Sequence, residues 1–556
     1  MTDRFSQLDR MRRKGRGRRL VDPWTMGAVA IAAVVLAPIL SIIWIAFTPT
    51  ENIWPHLMAT VLPRYLGTTL LLMLGVAVLS AAMGTGAAWL VTRYQFPGRK
   101  WLANALLFPL AIPAYVGAYA LVDVLDYSGP VQGALRATFG WTSSRDYWFP
   151  EIRSLPAAIL VLSFALYPYV YLLARAAYRE QSGRAYEVAR ALGCGPWEMF
   201  IRIGWPLARP AIAAGVALAL METVADYGTV LHFGVQTLTT GVFSTWLNGG
   251  NAGGAAQISG VILTLILLLV GLERVGRGGA RFHRLGRVAQ PVEPQAIAGR
   301  KCWYATVLCL IPFCGGFVLP VGVMLVRSAS APEGWLAPGL LDALRNTVVV
   351  AGLASVATVG AALFLVYALR LAGSRSAQWL LPLTLIGYAA PGAVLALGLL
   401  LPLAALDNWL ADAVLALTGR DPGLLITGTA FALGLAYLVR FFGIAQGAVD
   451  AAFGRVSPTL AMAARSLGRG AGGTLTTIYL PQMRGSVLTA LLVVFVDCVK
   501  ELPATLLLRP FNYNTLSTRV FELASLERLS EAAPAALLVM GVGLLAVVIV
   551  ARSQPE

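Results

Sequence analysis

Long apolar runs, separated by short polar segments, form the main pattern along this chain. About 20 apolar residues are enough to cross roughly 30 Å of hydrocarbon as a helix, and runs of this length recur from one end of the sequence to the other. The pattern therefore predicts an all-α membrane protein with about twelve transmembrane helices. The predicted spans are 24–47, 68–91, 102–125, 155–177, 211–233, 258–276, 303–326, 347–371, 379–401, 424–442, 487–508 and 532–551.

One polar pattern occurs twice between these spans. EVARALGCGPWEMFIRIGWP at 187–206 resembles MAARSLGRGAGGTLTTIYLP at 462–481, and adding 275 to a residue number relates the two copies. The relation continues into the following spans, where Glu222 corresponds to Asp497. Six predicted spans separate the copies, an even number, so both copies lie on the same side of the membrane. We therefore expect two tandem six-helix repeats that are parallel rather than inverted.

The boundary between the repeats is a segment in which glycine, arginine and proline replace the apolar run. Such a composition is typical of a linker. The predicted division is a basic N-terminal segment 1–23, a first repeat 24–276, a linker 277–301, a second repeat 302–551 and a C-terminal tail 552–556.

Composition and charge support a membrane protein and exclude a soluble domain. Hydrophobic residues make up 58% of the chain and charged residues only 13%, with a mean hydropathy of +0.71. The net charge of +16 raises the question of nucleic acid binding. However, the basic residues precede the first span and return in every second loop, as the positive-inside rule requires. We therefore expect a multi-pass protein of the lipid bilayer with both termini in the cytoplasm, and no nucleic acid partner.

Resident metal chemistry is not indicated by the sequence. The five cysteines include no CxxC pair, and the three histidines are scattered without ligand spacing. We expect neither a disulfide framework nor a tightly bound metal.

The duplicated loop combines two features that control helix ends. Gly193 and Gly468 are placed to end a first short helix, and Pro206 and Pro481 to open the next membrane helix. A short exposed helix with small side chains suits docking into a groove on a partner. The alternative is a loop that serves only the internal packing of the chain.

This loop resembles the EAA loop of binding-protein-dependent ABC importer permeases, which reads EAA, three residues, Gly, nine residues, then I-x-L-P. The first copy departs from the pattern at Val188 and Trp205, and the second has Met462 in place of the expected glutamate. The resemblance implies a type I importer permease fold, with these loops as coupling helices that bind two ATPase subunits. The implied ATPase-coupling residues are Glu187, Ala189, Gly193, Ile203, Pro206, Ala463, Ala464, Gly468, Ile478, Leu480 and Pro481.

Three further segments, at 167–180, 222–230 and 497–525, resemble the fused, two-half permeases of ferric iron importers. The resemblance implies a protein of the bacterial inner membrane that receives Fe³⁺ from a periplasmic binding protein and is driven by a cytoplasmic ATPase dimer. Related permeases for thiamine or a phosphonate are the nearest alternative. A secondary transporter is a second one, although it would not need two such loops.

The sequence predicts a transport subunit rather than an enzyme. It contains no GxxxxGK[ST] loop, and the GxGxxG at 468–473 follows no predicted strand. We therefore expect no cofactor on this chain, and ATP to be used by the partner subunit.

Charged residues inside the apolar runs are the remaining signal. An ionised side chain at the bilayer centre costs about 2.5–3.5 kcal/mol, so such residues usually face a protein interior or water. One interpretation is that two acidic pairs, each four residues apart on one helix face, line a pathway for Fe³⁺. The other is that they are structural, neutralised by the lysine and capping broken helix ends. The residues concerned are Glu222, Asp226, Asp497, Lys500 and Glu501, with Tyr167, Tyr169 and Tyr171 as further oxygen donors or as packing residues.

Overall fold

Helices form nearly all the regular structure of the described residues. The structure, a computed structural model, describes residues 23–181, 183–277, 294–297, 299–372, 379–385, 387 and 390–553. Within these ranges, 11 helices are long and apolar enough to cross a membrane, and a pair bent by 95° brings the number to 12. The prediction of an all-α membrane protein with about twelve spans is confirmed.

The described helices fall into two groups, before and after the segment 278–293. The first group is α1 (Pro23–Phe47), α2 (Trp54–Ala59), α3 (Leu62–Arg93), α4 (Arg99–Ala105), α5 (Ala114–Leu125), α6 (Pro130–Phe139), α7 (Leu155–Glu180), α8 (Gly183–Ala191), α9 (Pro196–Met199), α10 (Trp205–Ala225), α11 (Gly228–His232), α12 (Leu238–Phe243) and α13 (Ala252–Arg277). The second group is α14 (Arg300–Phe313), α15 (Leu319–Ser330), α16 (Leu340–Ala372), α17 (Leu380–Thr384), α18 (Gly392–Thr418), α19 (Ala430–Arg455), α20 (Pro458–Ser466), α21 (Ala471–Thr474), α22 (Leu480–Lys500), α23 (Pro503–Leu508), α24 (Leu516–Ser525) and α25 (Leu529–Ser553). Two short strands, β1 (Tyr94–Gln95) and β2 (Gln295–Ala296), pair in parallel.

Parts of the predicted domain division lie outside the described residues. These parts are 1–22 of the basic segment, 278–293 and 298 of the linker, and 554–556 of the tail. The boundaries of the two repeats remain predictions.

The two halves reproduce each other down to single hydrogen bonds. In the first half, the backbone N–H of Leu238 donates to the hydroxyl of Thr69 at 3.0 Å. In the second half, the N–H of Leu516 donates to the hydroxyl of Thr347 at 2.8 Å. Each bond fastens the start of a short helix, α12 or α24, to the long helix α3 or α16. The tandem repeat predicted from the sequence is therefore present in the fold.

The first membrane helix of each half packs against the other half. α1 packs on α16 and α18, and its Ala28 and Ala32 share a core with residues of α19 and α22. Ala305 and Cys309 of α14 lie in the core formed by α3, α4 and α7. The halves are thus interlocked rather than placed side by side.

Two glycines allow this interlock. A Cβ atom at Gly398 of α18 would clash with the carbonyl oxygen of Pro38 in α1. A Cβ atom at Gly316, between α14 and α15, would lie 2.5 Å from the carbonyl oxygen of Phe164 in α7. Membrane helices approach to backbone contact only where such small residues stand.

Four predicted spans differ from the structure. The span predicted at 102–125 is the bent pair, in which a 3₁₀ turn and Pro113 separate α4 from α5, because proline cannot donate the helical hydrogen bond. The helix predicted to start at 379 instead starts at Gly392, directly after Pro391. The spans predicted at 211–233 and 487–508 are interrupted at Asp226 and Glu501, so α11 and α23 are separate short helices.

Candidate functional site

The duplicated loops end their first helices by the same geometry. Gly193 and Gly468 have φ angles of +83° and +81°, which favour glycine. Behind Gly193, the N–H of Cys194 donates to the carbonyl of Ala189 at 3.0 Å, the bond that closes a Schellman motif. The N–H of Arg469 donates to Ala464 at 3.0 Å in the second copy. The predicted helix-ending role of both glycines is confirmed.

The prolines do not open the membrane helices as predicted, because the helical runs begin earlier, at Pro196 and Ala471. Pro206 and Pro481 lie in the first turns of the α-helical segments α10 and α22, within these runs. A π-helical turn precedes each of them, Phe200–Gly204 in the first half and Leu475–Tyr479 in the second.

Each loop presents apolar side chains to the outside. Leu192 and Trp197 are 78% and 71% exposed in the first copy, and Met462 and Leu467 are 60% and 84% exposed in the second. Exposed apolar patches of this kind mark interaction surfaces. The predicted coupling residues divide between the two sides of the loops. Glu187, Ala463 and Gly468 are exposed, Ala189 and Ala464 are buried against the bundle, and Ile203, Pro206, Ile478 and Leu480 are half-buried.

A buried arginine, which the sequence analysis missed, holds the first loop. Arg93 donates to the side-chain oxygen of Gln181 at 3.1 Å, and the hydroxyl of Tyr186 donates to the same oxygen. Gln181 in turn donates to the carbonyl of Gly204 at 3.2 Å. The Arg93 guanidinium also stacks 3.5 Å from the centre of the Tyr186 ring. The only sequence signal was a single arginine ending an apolar run.

The second loop is held by aromatic packing instead. The hydroxyl of Tyr367 donates to the carbonyl of Ala471 at 2.6 Å, and its ring stacks on Phe453 at 5.9 Å. The two loops therefore share their shape but not their attachment to the bundle.

A cavity of about 140 Å³ lies between the two halves, and all four predicted acids line it. Helices α10 and α22 reach it from the two repeats, and it also contacts the α4–α5 connection, α7 and α19. The predicted convergence of the acidic pairs is thus observed. Lining residues that carry charge are Glu222, Asp226, Asp497, Glu501, Arg440 and Lys500.

The second acid of each pair is a helix cap. Asp226 follows the last residue of α10 and accepts the N–H groups of Thr229 and Val230 at 3.0 and 3.1 Å, at the start of α11. Glu501 follows α22 and accepts the N–H groups of Ala504 and Thr505, both at 3.0 Å. The two acids therefore do not continue the helix face of their partners, because each helix ends before them.

The first acid of each pair faces the cavity from the last turns of its helix. Glu222 lies in α10 and Asp497 in α22. The Lys500 ammonium lies 2.8 Å from Asp497 and donates to the carbonyl of Leu110, in the first half, at 3.3 Å. The features of the structural interpretation are thus present at three acids, since Asp226 and Glu501 cap helices and Lys500 pairs with Asp497. Glu222 and Asp497 also line the cavity, and their role in a pathway stays a prediction.

Arg440 completes the charged lining and was missed from the sequence. Its Nε lies 3.9 Å from a carboxylate oxygen of Glu501, and the two side chains are only 12% and 1% exposed. A lone arginine inside the apolar run of α19 was the available signal. Of the three tyrosines of α7 that were predicted as candidate oxygen donors, Tyr169 lines the cavity, whereas Tyr167 and Tyr171 are fully buried in the bundle.

Comparison with known proteins identifies the kind of molecule that carries these loops and this cavity. Residues 80–274, which contain the first loop and Glu222, match the family of inner membrane components of binding-protein-dependent transport systems. The chain is similar over this segment to the importer permeases of this family. It is a multi-pass inner membrane transport component and not an enzyme, as predicted.

Individual relatives extend the likeness of the permease to its second half. The Fe(3+)-transport system permease protein FbpB 2 of Haemophilus influenzae is 27% identical over 488 residues, which cover 85% of this chain and 87% of that protein. The molybdenum transport system permease protein ModB of Escherichia coli is 29% identical over 208 residues, 36% of this chain and 87% of that protein. The sulfate transport system permease protein CysT of Escherichia coli is 24% identical over 212 residues, 36% of this chain and 72% of that protein.

Proposed function

We propose that the permease carries ferric iron across the inner membrane as the membrane subunit of an ABC importer. The observation that carries this proposal is the cavity between the halves, which four carboxylates and two cationic side chains line. With all six groups ionised, negative charge exceeds positive charge by two. Such a lining favours a hard cation, which prefers oxygen ligands, and repels an oxyanion.

The comparisons support the same substrate. The relative that spans both halves has Fe(3+) in its name. The molybdenum and sulfate permeases match 36% of the chain each, and the charge of the cavity argues against oxyanions of that kind. A phosphonate is disfavoured for the same reason. Thiamine, which is cationic, remains the alternative that a transport assay has to separate.

We infer that the carboxylates act on iron during its passage and do not store it. Among the described residues, no three His, Cys, Asp or Glu side chains lie close enough together to hold one metal ion. The caps Asp226 and Glu501 already accept two backbone N–H groups each. Glu222 and Asp497 are therefore the acids we assign to the moving cation, since a full chelate would slow its release.

The energy for transport is proposed to come from a cytoplasmic ATPase dimer docked on the two loops. The exposed apolar side chains of both loops, and the basic residues that surround them, support this placement. The same charge bias supports a cytoplasmic position for both termini. A periplasmic binding protein would then deliver iron on the opposite face, and this chain would bind no nucleotide itself.

The decisive experiment removes the charge of the two assigned acids and keeps their shape. We expect Glu222→Gln and Asp497→Asn each to slow iron uptake into proteoliposomes that contain the ATPase and receive iron-loaded binding protein. The double variant should be slower than either single variant. Asp450→Asn, an exposed acid paired with Arg370 outside the cavity, is the matched control. Full iron uptake by the double variant, or uptake of thiamine in place of iron, would overturn the proposal.

A further inference from the structure

The two cations of the cavity come from one half only. Arg440 lies in α19 and Lys500 ends α22, both in the second repeat. The relation that adds 275 to a residue number pairs them with Ala165 and Ala225, which also line the cavity. The four acids therefore follow the repeat, with two in each half, whereas both positively charged side chains belong to the second half. The repeat of the fold does not explain the two positive charges, which therefore need a separate explanation.

Lys500 occupies the cavity as a bound cation would. Its ammonium contacts the Asp497 carboxylate at 2.8 Å and the Leu110 carbonyl at 3.3 Å, so it binds one oxygen from each half of the chain. Carboxylate and carbonyl oxygens are also the ligands that hard metal cations prefer. The side chain thus fills part of the oxygen environment that a passing cation needs.

Arg440 is held less completely. Its contact with Glu501 is long, at 3.9 Å, and Glu501 is already engaged as the cap of α23. The Nη1 atom of Arg440 is buried and has no hydrogen-bond partner among the described residues. A buried donor without a partner is costly. Its position is therefore set by charge attraction to the buried acids, Glu501 first among them, rather than by a short hydrogen bond.

A cation that enters this cavity has to compete with these two side chains for the carboxylates. Its interaction with each carboxylate grows in proportion to its own charge, whereas that of the resident ammonium or guanidinium is fixed at one unit. In Coulomb attraction alone, an ion of charge three gains more than an ion of charge one or two, so the resident groups oppose the latter more effectively. The cavity thereby distinguishes cations by their charge.

On the basis of the proposed function, we propose that Arg440 and Lys500 are resident counter-ions that determine specificity, because they exclude mono- and divalent cations from the carboxylate pathway and yield to a trivalent one. They act on selectivity and not on the energy supply. Neutral side chains in their place should leave the acids free to attract divalent ions whenever the pathway opens.

The test measures leakage of a divalent ion during turnover. The complete transporter is reconstituted with its ATPase, iron-loaded binding protein and ATP, with Mn²⁺ outside and a Mn²⁺-quenched dye inside the vesicles. Arg440→Gln and Lys500→Gln should raise Mn²⁺ entry by about tenfold or more, because a small part of one unit-charge interaction is enough for that change in rate. Arg440→Lys keeps the charge and should restore exclusion. Arg300→Gln, an exposed change outside the cavity, should leave Mn²⁺ entry at the parental rate.

The possible results of these experiments distinguish a failure of the counter-ion role from a failure of the proposed function. Unchanged Mn²⁺ exclusion in the folded neutral variants overturns the counter-ion role, even if Glu222→Gln and Asp497→Asn slow iron uptake. Full iron uptake by those acid variants overturns the proposed function itself. If Arg440→Gln does not fold, Lys500→Gln decides alone, since its side chain is more exposed, at 22% against 12%. Equal leakage through Arg440→Lys and Arg440→Gln would also count against the inference, because charge would then not be the cause.

Discussion

The two capping acids occupy equivalent places in the repeats but differ in their electrostatic partners, which gives a matched pair of substitutions. Glu501→Ala removes the acceptor of two backbone N–H groups and of the Thr505 hydroxyl at 2.7 Å. Loss of such a cap costs about 0.5–2 kcal/mol. The change also leaves Arg440 buried without its acid, and breaking a buried pair costs about 3–5 kcal/mol. Because the contact is long, we take the lower end and expect a total loss of about 4 kcal/mol.

Asp226→Ala removes a comparable cap without a paired cation. Asp226 accepts the N–H groups of Thr229 and Val230 and the Thr229 hydroxyl at 2.9 Å. The loss should be about 1–2 kcal/mol, the size of the cap alone. Both substitutions remove one negative charge from the same cavity and so relieve the repulsion among the acids. This gain is about equal in the two variants and cancels when their stabilities are compared. We therefore expect the two variants to differ by about 2–3 kcal/mol, a factor of about 30–150 in the unfolding equilibrium.

The assay is equilibrium unfolding of the full-length chain in detergent micelles, followed by tryptophan fluorescence. Glu501→Gln serves as the control, because it keeps an acceptor oxygen for the cap and loses only the charge, so its loss should fall between the two alanine variants. Equal losses for both alanine variants would show that Arg440 does not depend on Glu501. A larger loss for Asp226→Ala would refute the assignment of the pair altogether.

Three further substitutions test the loops and the interlock of the halves. Gly193→Ala forces an L-residue to a φ of +83° and should cost about 1–2 kcal/mol in α8, seen as faster amide exchange of that helix, whereas Gly195→Ala, at a φ of −71°, should not. Gly398→Leu should lower the yield of folded protein because its side chain meets the backbone of α1, whereas Gly360→Leu, which has open space, should be tolerated. Arg93→Gln should raise amide exchange about tenfold in α8 and leave α20 unchanged, since among the described residues a charged hydrogen bond holds the first loop and not the second.

The sequence alone was sufficient wherever the cause is local. The number of spans follows from the length of the apolar runs, because a helix that crosses the bilayer needs about 20 such residues. Gly193 and Gly468 were predicted to end helices, and the structure places them so, whereas Pro206 and Pro481 lie inside helical runs that begin at Pro196 and Ala471. The two glycines act through their own backbone geometry, which does not depend on distant parts of the chain.

The roles of the acids were decided by tertiary structure. A spacing of four residues predicted that Glu222 and Asp226 share a helix face, but α10 ends at Ala225 and Asp226 caps the next helix. The residue at which a helix ends inside a protein depends on the side chains and helices that pack around it. Around Asp226, these belong to both halves of the chain. The spacing of residues along the sequence carries no information about this packing.

Contacts between residues far apart in the sequence could not be predicted from local sequence patterns either. Lys500 binds a carbonyl oxygen 390 residues away, and α1 crosses to the opposite half to meet Gly398. The sequence determined that charges stand within apolar helices, and that two copies of a six-helix plan exist. Only the packing of the halves decided which charges face one another, because burial and distance set the strength of a charge pair and both arise from the assembled bundle.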